Sequence, residues 1–112
     1  MSKIDFQNVH TMIGADAFLQ GDIKLDGGLI VYGKINGDVT TKGPVRIAKT
    51  AEITGNIIAS DIQVGGNVSG NITVEDRIVL GKQSTVSGDM VYRRLFIEEG
   101  AKFSGRCELM SD

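Results

Sequence analysis

The sequence is poor in several residue types, and each shortage excludes a class of protein. Its 112 residues include no tryptophan, one histidine, one proline and one cysteine, and only 5% are aromatic. A lone cysteine, Cys107, cannot form an internal disulfide, which argues against a small disulfide-stapled secreted domain. The longest apolar run, residues 29–32, is far shorter than the roughly 20 residues of a membrane-spanning helix.

Charge is ordinary in amount, at 23% of residues, but neither sign is in large excess. The formal net charge is −2, with acidic and basic residues mixed along the chain, so no basic surface for nucleic acid is expected. The first residues lack the long apolar segment of a secretory signal, which predicts a cytoplasmic protein. The length suits one domain with a modest core.

Glycine, in contrast, is abundant and periodic. The segment "VYGKINGDV" at 31–39 returns in pattern as "VGGNVSGNI" at 64–72. Both contain an apolar-x-Gly-x-apolar unit that occurs six times, with its glycines separated by 16, 18, 15, 18 and 17 residues. These glycines are Gly21, Gly37, Gly55, Gly70, Gly88 and Gly105. A regular period just under 20 residues is typical of a solenoid.

Aligning the repeats on these glycines produces five apolar columns. They begin in the first repeat at Thr11, Ile13, Leu19, Ile23 and Leu25, and 28 of their 30 positions are apolar in a chain that is 41% apolar. Columns lie two residues apart or four apart across a glycine, which is the period of a β-strand. The step from the second column to the third runs 6, 4, 6, 4, 6, 6, so long and short corners should alternate in the first four coils.

These observations predict an all-β fold. Each repeat supplies about three short strands joined by bends, and no repeat can bury its apolar side alone, so successive coils must stack on one core. Because crossovers between parallel strands are almost always right-handed, we expect a right-handed parallel β-helix of about six coils with a triangular cross-section. Residues 11–109 are predicted to form this domain, with short disordered tails at 1–10 and 110–112.

A polar row accompanies the repeated glycine. Its members are Asp22, Asp38, Asn56, Asn71, Asp89 and Arg106. Such a row could bind cations, since carboxylate and amide oxygens suit hard metal ions. It could equally consist of residues that tolerate a tight corner. Only three members are acidic and Arg106 ends the row, so we favour the corner and predict no metal site.

Catalytic candidates are weak. A β-helical acyltransferase needs a histidine base, but His10 precedes the repeats and the six-residue period of such enzymes is absent. Cys107 occupies an apolar column, where a small core or interface residue is the simpler interpretation than a redox site. We therefore predict no enzyme activity and no cofactor.

The four phenylalanines lie only near the two ends of the repeat array, at positions 6, 18, 96 and 103. A β-helix has open strand edges at both ends, and large aromatic residues there favour contact with another subunit. The alternative is that they seal a monomer as internal caps. We predict a polymerisation interface made at one end by Phe103, Phe96, Cys107 and Leu109, and at the other by Phe18, Leu19 and Ile23.

The N-terminal segment carries a few apolar residues among polar ones, notably Ile4 and Phe6. One such tail is too short and too weakly basic to anchor a protein firmly, but many tails on one polymer would add by avidity. We predict that Ile4 and Phe6 touch the membrane. A disordered tail, or one that folds over the first coil, are the alternatives.

The run "IGADAFLQGDIKLDGGLIVYGKINGDV", followed by "AKTAEITGNI", resembles the bactofilins. The resemblance extends over roughly residues 11–109. It implies a right-handed β-helical rod that polymerises without nucleotide into non-polar filaments, located at the inner face of the cytoplasmic membrane. It also implies scaffolding roles in cell shape, peptidoglycan remodelling or appendage placement, with cell-wall or membrane proteins as clients. Many members carry long proline-rich or basic extensions, whereas the tails here are short, which leaves few client sites outside the rod.

The competing hypothesis is a β-helical binding module, monomeric or dimeric, that presents a flat sheet face to a partner protein. The two hypotheses differ in whether the ends of the rod bind other subunits.

Overall fold

The computed structural model describes residues 9–110, and over that range the chain forms eighteen short β-strands and no helix. Each coil contributes one strand to each of three six-stranded sheets, and neighbouring coils pair in parallel. The expected all-β solenoid of about six coils is confirmed. The right hand of its coiling stays a prediction of the crossover rule.

The three sheets form the three sides of the solenoid. Sheet 1 contains β1 (Val9–Ile13), β4 (Gly28–Val31), β7 (Val45–Ile47), β10 (Ile62–Val64), β13 (Arg77–Leu80) and β16 (Arg94–Ile97). Sheet 2 contains β2 (Phe18–Gln20), β5 (Lys34–Asn36), β8 (Glu52–Thr54), β11 (Asn67–Ser69), β14 (Thr85–Ser87) and β17 (Lys102–Ser104). Sheet 3 contains β3 (Ile23–Leu25), β6 (Val39–Thr41), β9 (Ile57–Ala59), β12 (Ile72–Val74), β15 (Met90–Tyr92) and β18 (Cys107–Leu109).

Side chains alternate between the interior and the outer surface along each strand. In β8, Ile53 is buried between exposed Glu52 and Thr54, while in β7 the buried Val45 and Ile47 flank exposed Arg46. This is the period of two that the apolar columns predicted.

The columns stack residue on residue. Ile53 is in register with Ile35 on one side and with Val68 on the other, and the same holds for the columns of sheet 1. All fully buried apolar side chains among the described residues lie between Leu29 and Met90. The core is therefore closed over the middle coils and incomplete over the two terminal ones.

Thr41 is a polar exception inside an apolar column, and the structure accounts for it. Its hydroxyl donates to the carbonyl of Gly27 at 2.5 Å and accepts from the amide of Gly43 at 3.1 Å. A buried hydroxyl is tolerated where its hydrogen bonds are made, and here it ties two coils together at a corner.

The corner between sheets 1 and 2 explains the uneven repeat length. Four coils contain an extra β-turn there, closed by backbone bonds such as Ala51 N to Ala48 O at 2.9 Å and Ser84 N to Gly81 O at 3.0 Å. The two coils with the four-residue step lack it, and Gly33 and Gly66 occupy their corners. A Cβ on Gly33 would overlap the backbone of the turn in the preceding coil. The predicted sequence of long and short corners is confirmed.

Candidate assembly surfaces at the two ends of the solenoid

Both ends of the solenoid present strand edges. Among the residues that the structure describes, β1, β2 and β3 are paired on one side only, and so are β16, β17 and β18 at the opposite end. We call the interior-directed residues of β1–β3 the N-terminal face and those of β16–β18 the C-terminal face. Edge strands offer backbone donors and acceptors to another chain, so both faces can extend the three sheets.

The C-terminal face is strongly apolar. Phe103 lies in register with Val86, is half-buried and packs against the core. Ile97 is 51% exposed although Leu80, one coil earlier in the same column, is fully buried. Leu109 is 68% exposed for the same reason, because no further coil within residues 9–110 covers its column.

Cys107 joins this face beside Tyr92 of the previous coil. The cysteine is exposed and in register with the buried Met90. Partial burial raises the pKa of Tyr92, and electrostatic interaction and hydrogen bonding with the neighbouring Cys107 sulfur raise it further. Both effects favour the neutral form of the tyrosine.

One ion pair fastens the last coil to the coil before it. The Arg94 guanidinium donates to the Asp76 carboxylate through two bonds, Nε to Oδ1 at 3.0 Å and Nη2 to Oδ2 at 2.8 Å. This hydrogen bonding lowers the pKa of Asp76 below its ordinary value and raises the pKa of Arg94. Both groups are about half exposed, so water and salt screen the pair.

The N-terminal face is smaller and less exposed. Leu19 is 38% exposed over Ile35, and Ile23 and Leu25 are half-buried against the core. Ile13 packs beside them. These residues continue the interior columns beyond the last fully closed coil.

Two of the predicted interface phenylalanines lie in the end coils but on the outer surface. Phe18 is in register with Lys34, and Phe96 with Val79, so each alternates with the interior-directed residues of its strand. The structure thus brings Phe103, Cys107 and Leu109 together on one face and Leu19 and Ile23 on the other. Phe18 and Phe96 lie on the outer surface of the end coils, beside these faces.

Four apolar end-coil residues were not among the predicted interface residues. Leu95 and Ile97 belong to the C-terminal face, and Ile13 and Leu25 to the N-terminal face. The column alignment already contained all four, and they could have been identified from the fact that the columns of a terminal coil are covered on one side only.

The polar row at the glycine corner forms a continuous ladder of hydrogen bonds. Each side-chain oxygen accepts the backbone N–H of the row member in the next coil, at 2.9 Å from Asp38 to Asp22 and 3.1 Å from Arg106 to Asp89. Three further bonds of 2.9–3.0 Å connect the members between. The row therefore stabilises the corner, and Arg106 ends it because its side chain offers no acceptor.

A family model for bactofilins, described as polymer-forming cytoskeletal proteins, matches residues 11–108. The chain belongs to the bactofilin family. The resemblance to bactofilins is confirmed, and with it the coarse assignment to structural, filament-forming cytoskeletal proteins.

Individual bactofilins are similar along nearly the whole chain. Bactofilin BacO of Myxococcus xanthus is 27% identical over 100 residues, which are 89% of this chain and 79% of that protein. Bactofilin BacP of the same organism is 26% identical over 100 residues, which are 42% of its length. The structure resembles the Thermus thermophilus bactofilin determined by cryo-electron microscopy in double helical filaments, with a TM-score of 0.86 and 25% identity over 90% of this chain and all of that one.

The residues predicted to touch the membrane, Ile4 and Phe6, lie outside the described residues. Within residues 9–110 there is no helix that could cross a bilayer.

Proposed function

We propose that this bactofilin assembles end to end, through its N-terminal and C-terminal faces, into filaments that need no nucleotide. The proposal rests on the difference in burial between apolar columns of the middle coils and the same columns at the terminal coils. Leu80 is fully buried, whereas Ile97 one coil further is half exposed. Stacking another subunit on this face would bury the same kind of side chain that the middle coils bury, at about 25 cal/mol per Å² of apolar surface.

We further propose that the filaments are non-polar, with C-terminal faces meeting each other and N-terminal faces doing the same. Contacts of this kind are isologous and generate a filament without direction. The corner ladder supports this arrangement. In a head-to-tail joint the amide of Asp22 would meet Arg106, which cannot accept its hydrogen bond.

The first test is negative-stain electron microscopy of the purified chain without nucleotide or metal. Phe103→Arg places a charge on the C-terminal face and should abolish filaments while circular dichroism shows a folded β-protein. Ser104→Arg is the matched control, because it adds the same charge one residue away on the exposed outer side of β17. Small uniform particles from the unaltered chain would instead favour the binding module.

At the level of the cell, we propose that the filaments lie at the inner face of the cytoplasmic membrane. There they would scaffold processes such as cell shape, peptidoglycan remodelling or appendage placement, with cell-wall or membrane proteins as clients. Contact with the lipid is assigned to Ile4 and Phe6 of the N-terminal segment, and the rod itself to residues 11–109. Co-sedimentation with anionic vesicles tests this contact, and Phe6→Asp should lower the bound fraction without affecting filaments.

A further inference from the structure

The three outer surfaces of the solenoid differ in chemistry. The outer side of sheet 2 is polar from β5 to β17, with side chains such as Lys34 and Glu52. The outer column of sheet 1 is interrupted by the charge of Arg46, and its outward Ile30 is only 5% exposed, so other groups already cover part of that side. Sheet 3 differs from both, because its outward side chains form one open column whose middle members are uncharged.

We call these outward side chains of sheet 3 the sheet 3 stripe. In register from the first coil to the last, the stripe consists of Lys24, Thr40, Ile58, Thr73, Val91 and Glu108. None of the six is buried, and Ile58 is 50% exposed. The four middle members are all β-branched, so the stripe presents a row of methyl groups between one cation and one anion.

The order of residues in the stripe is self-complementary when two copies run in opposite directions. Reversal places Lys24 of each copy against Glu108 of the other, Thr40 against Val91, and Ile58 against Thr73. Opposite charges then meet at both ends of the contact, and branched side chains meet along its middle. A parallel arrangement would instead bring lysine to lysine and glutamate to glutamate, and like charges repel.

We propose that the sheet 3 stripe binds the same stripe of a second copy of this chain, with the coils running in opposite directions, and that this contact joins two filaments side by side. The proposal rests on the end-to-end assembly proposed above. Because identical faces meet in that assembly, Lys24 and Glu108 of successive subunits do not meet along one filament. Both charges therefore stay available to a neighbouring filament.

The size of the stripe predicts that filaments pair whereas single subunits do not. The five coil-to-coil steps of the stripe span about 24 Å, and a three-residue strand spans about 10 Å. The contact therefore covers roughly 240 Å² on each subunit, well below the about 800 Å² per partner of a stable protein interface. A filament repeats the contact at every subunit, and repeated weak contacts add by avidity.

Negative-stain electron microscopy measures the paired fraction, which is the share of filament length that lies side by side with a second filament. Filaments of the unaltered chain should be mostly paired. Ile58→Arg places a charge at the centre of the stripe, away from both end faces, and should lower the paired fraction at least about five-fold because that charge would be buried without a partner. Thr54→Arg is the matched control, since it adds the same charge in the same coil on the exposed outer side of sheet 2 and should leave pairing unchanged.

The same images separate failure of this proposal from failure of the end-to-end assembly. Single filaments from the unaltered chain, or pairs that persist in Ile58→Arg, would overturn lateral binding through sheet 3 alone. The absence of any filament would overturn both proposals.

Chemical cross-linking tests the opposite orientation of the two copies. Thr40→Cys and Val91→Cys are introduced together in a Cys107→Ser background, and the filaments are treated with a bismaleimide. Within one chain these positions are three coils apart, about 14 Å, so a shorter reagent cannot join them, and neither position lies on an end face. We expect covalent dimers in which tryptic peptide 35–42 of one chain is joined to peptide 83–93 of another.

Two results of this cross-linking would contradict the proposal. Links between two copies of peptide 35–42, or two copies of peptide 83–93, would establish a parallel arrangement, and filaments without interchain links would place the lateral contact elsewhere. The same cysteine pair in a Phe103→Arg chain, which should not polymerise, is the control. Equal yields with and without Phe103→Arg would show that the contact needs no filament.

Charge exchange tests the two ends of the stripe. Lys24→Glu or Glu108→Lys alone places like charges at both ends and should lower the paired fraction, whereas the two substitutions together restore opposite charges and should restore pairing. A merely structural role for either side chain would give no such restoration. A double variant that pairs less than both single variants would therefore contradict the proposed alignment.

Discussion

The Oδ1 atom of Asn56 accepts the backbone N–H of Asn71 at 3.0 Å, although fifteen residues separate them along the chain. The two residues occupy the same corner in successive coils. Repetition of this bond from Asp22 to Arg106 means that each coil carries the acceptor for the next one. The residue type at this one corner position therefore determines a hydrogen bond between neighbouring coils.

Removing one acceptor from the ladder should weaken the stack by a small, measurable amount. Asn56→Ala leaves the amide of Asn71 to water, and we expect a loss of about 0.5–1.5 kcal/mol in the free energy of unfolding. Urea titration followed by circular dichroism measures it. Asn56→Asp is the control, because aspartate already fills this place at Asp22, Asp38 and Asp89, and its stability should stay close to that of the unaltered chain.

Gly55→Ala should be far more damaging. Gly55 has φ of +150°, and an added Cβ would overlap the carbonyl of Gly37 in the preceding coil. We expect a loss greater than about 2 kcal/mol, from backbone strain together with the clash.

Two further glycine variants separate these causes. Gly21→Ala has φ of +125° but no atom within 4 Å of the added Cβ, so it retains only the strain and should cost less than Gly55→Ala. Gly14→Ala, which would meet nothing closer than 3.7 Å, should be close to neutral. Equal losses in Gly55→Ala and Gly14→Ala would show that stacking of the corner glycines is unimportant.

The ion pair between Asp76 and Arg94 predicts a dependence on pH. Since the folded state lowers the pKa of Asp76, the pair contributes stability above the ordinary aspartate value of 3.8. This contribution disappears as the pH falls through the lowered folded value. The melting temperature of the unaltered chain should therefore exceed that of Asp76→Asn at pH 7, and the two should converge once the pH falls below the lowered pKa of the folded state. A constant difference down to the most acid pH would rule out this ion pair as the cause.

Chemical cross-linking can decide the polarity of the filament. With Cys107 on the C-terminal face and Ile23→Cys on the N-terminal face, a short bismaleimide applied to filaments should yield links between two copies of residue 107 or of residue 23. Isologous joints bring identical faces together, which is why mixed links are not expected. A predominance of links between residues 23 and 107 would establish head-to-tail assembly. Phe103→Arg, which should not polymerise, controls for links formed by collision.

The sequence by itself determined the coiling of this bactofilin. Strand columns, corner glycines and the polar row each depend on residues at short, repeated intervals, and such intervals translate directly into backbone geometry. The uneven steps of six and four residues even distinguished the coils that contain a β-turn.

Only the tertiary structure decided which side chains are exposed on the outer surfaces and which of them form the two end faces. Phe96 and Phe103 were both predicted at the interface, yet the register of the strands places Phe96 outside and Phe103 over the core. The partners of Thr41 come from corners of two coils, and the burial of Ile30 contrasts with the exposure of Ile58. Exposure depends on what lies above a residue in space, and a periodic sequence specifies the residue's own position without specifying what covers it.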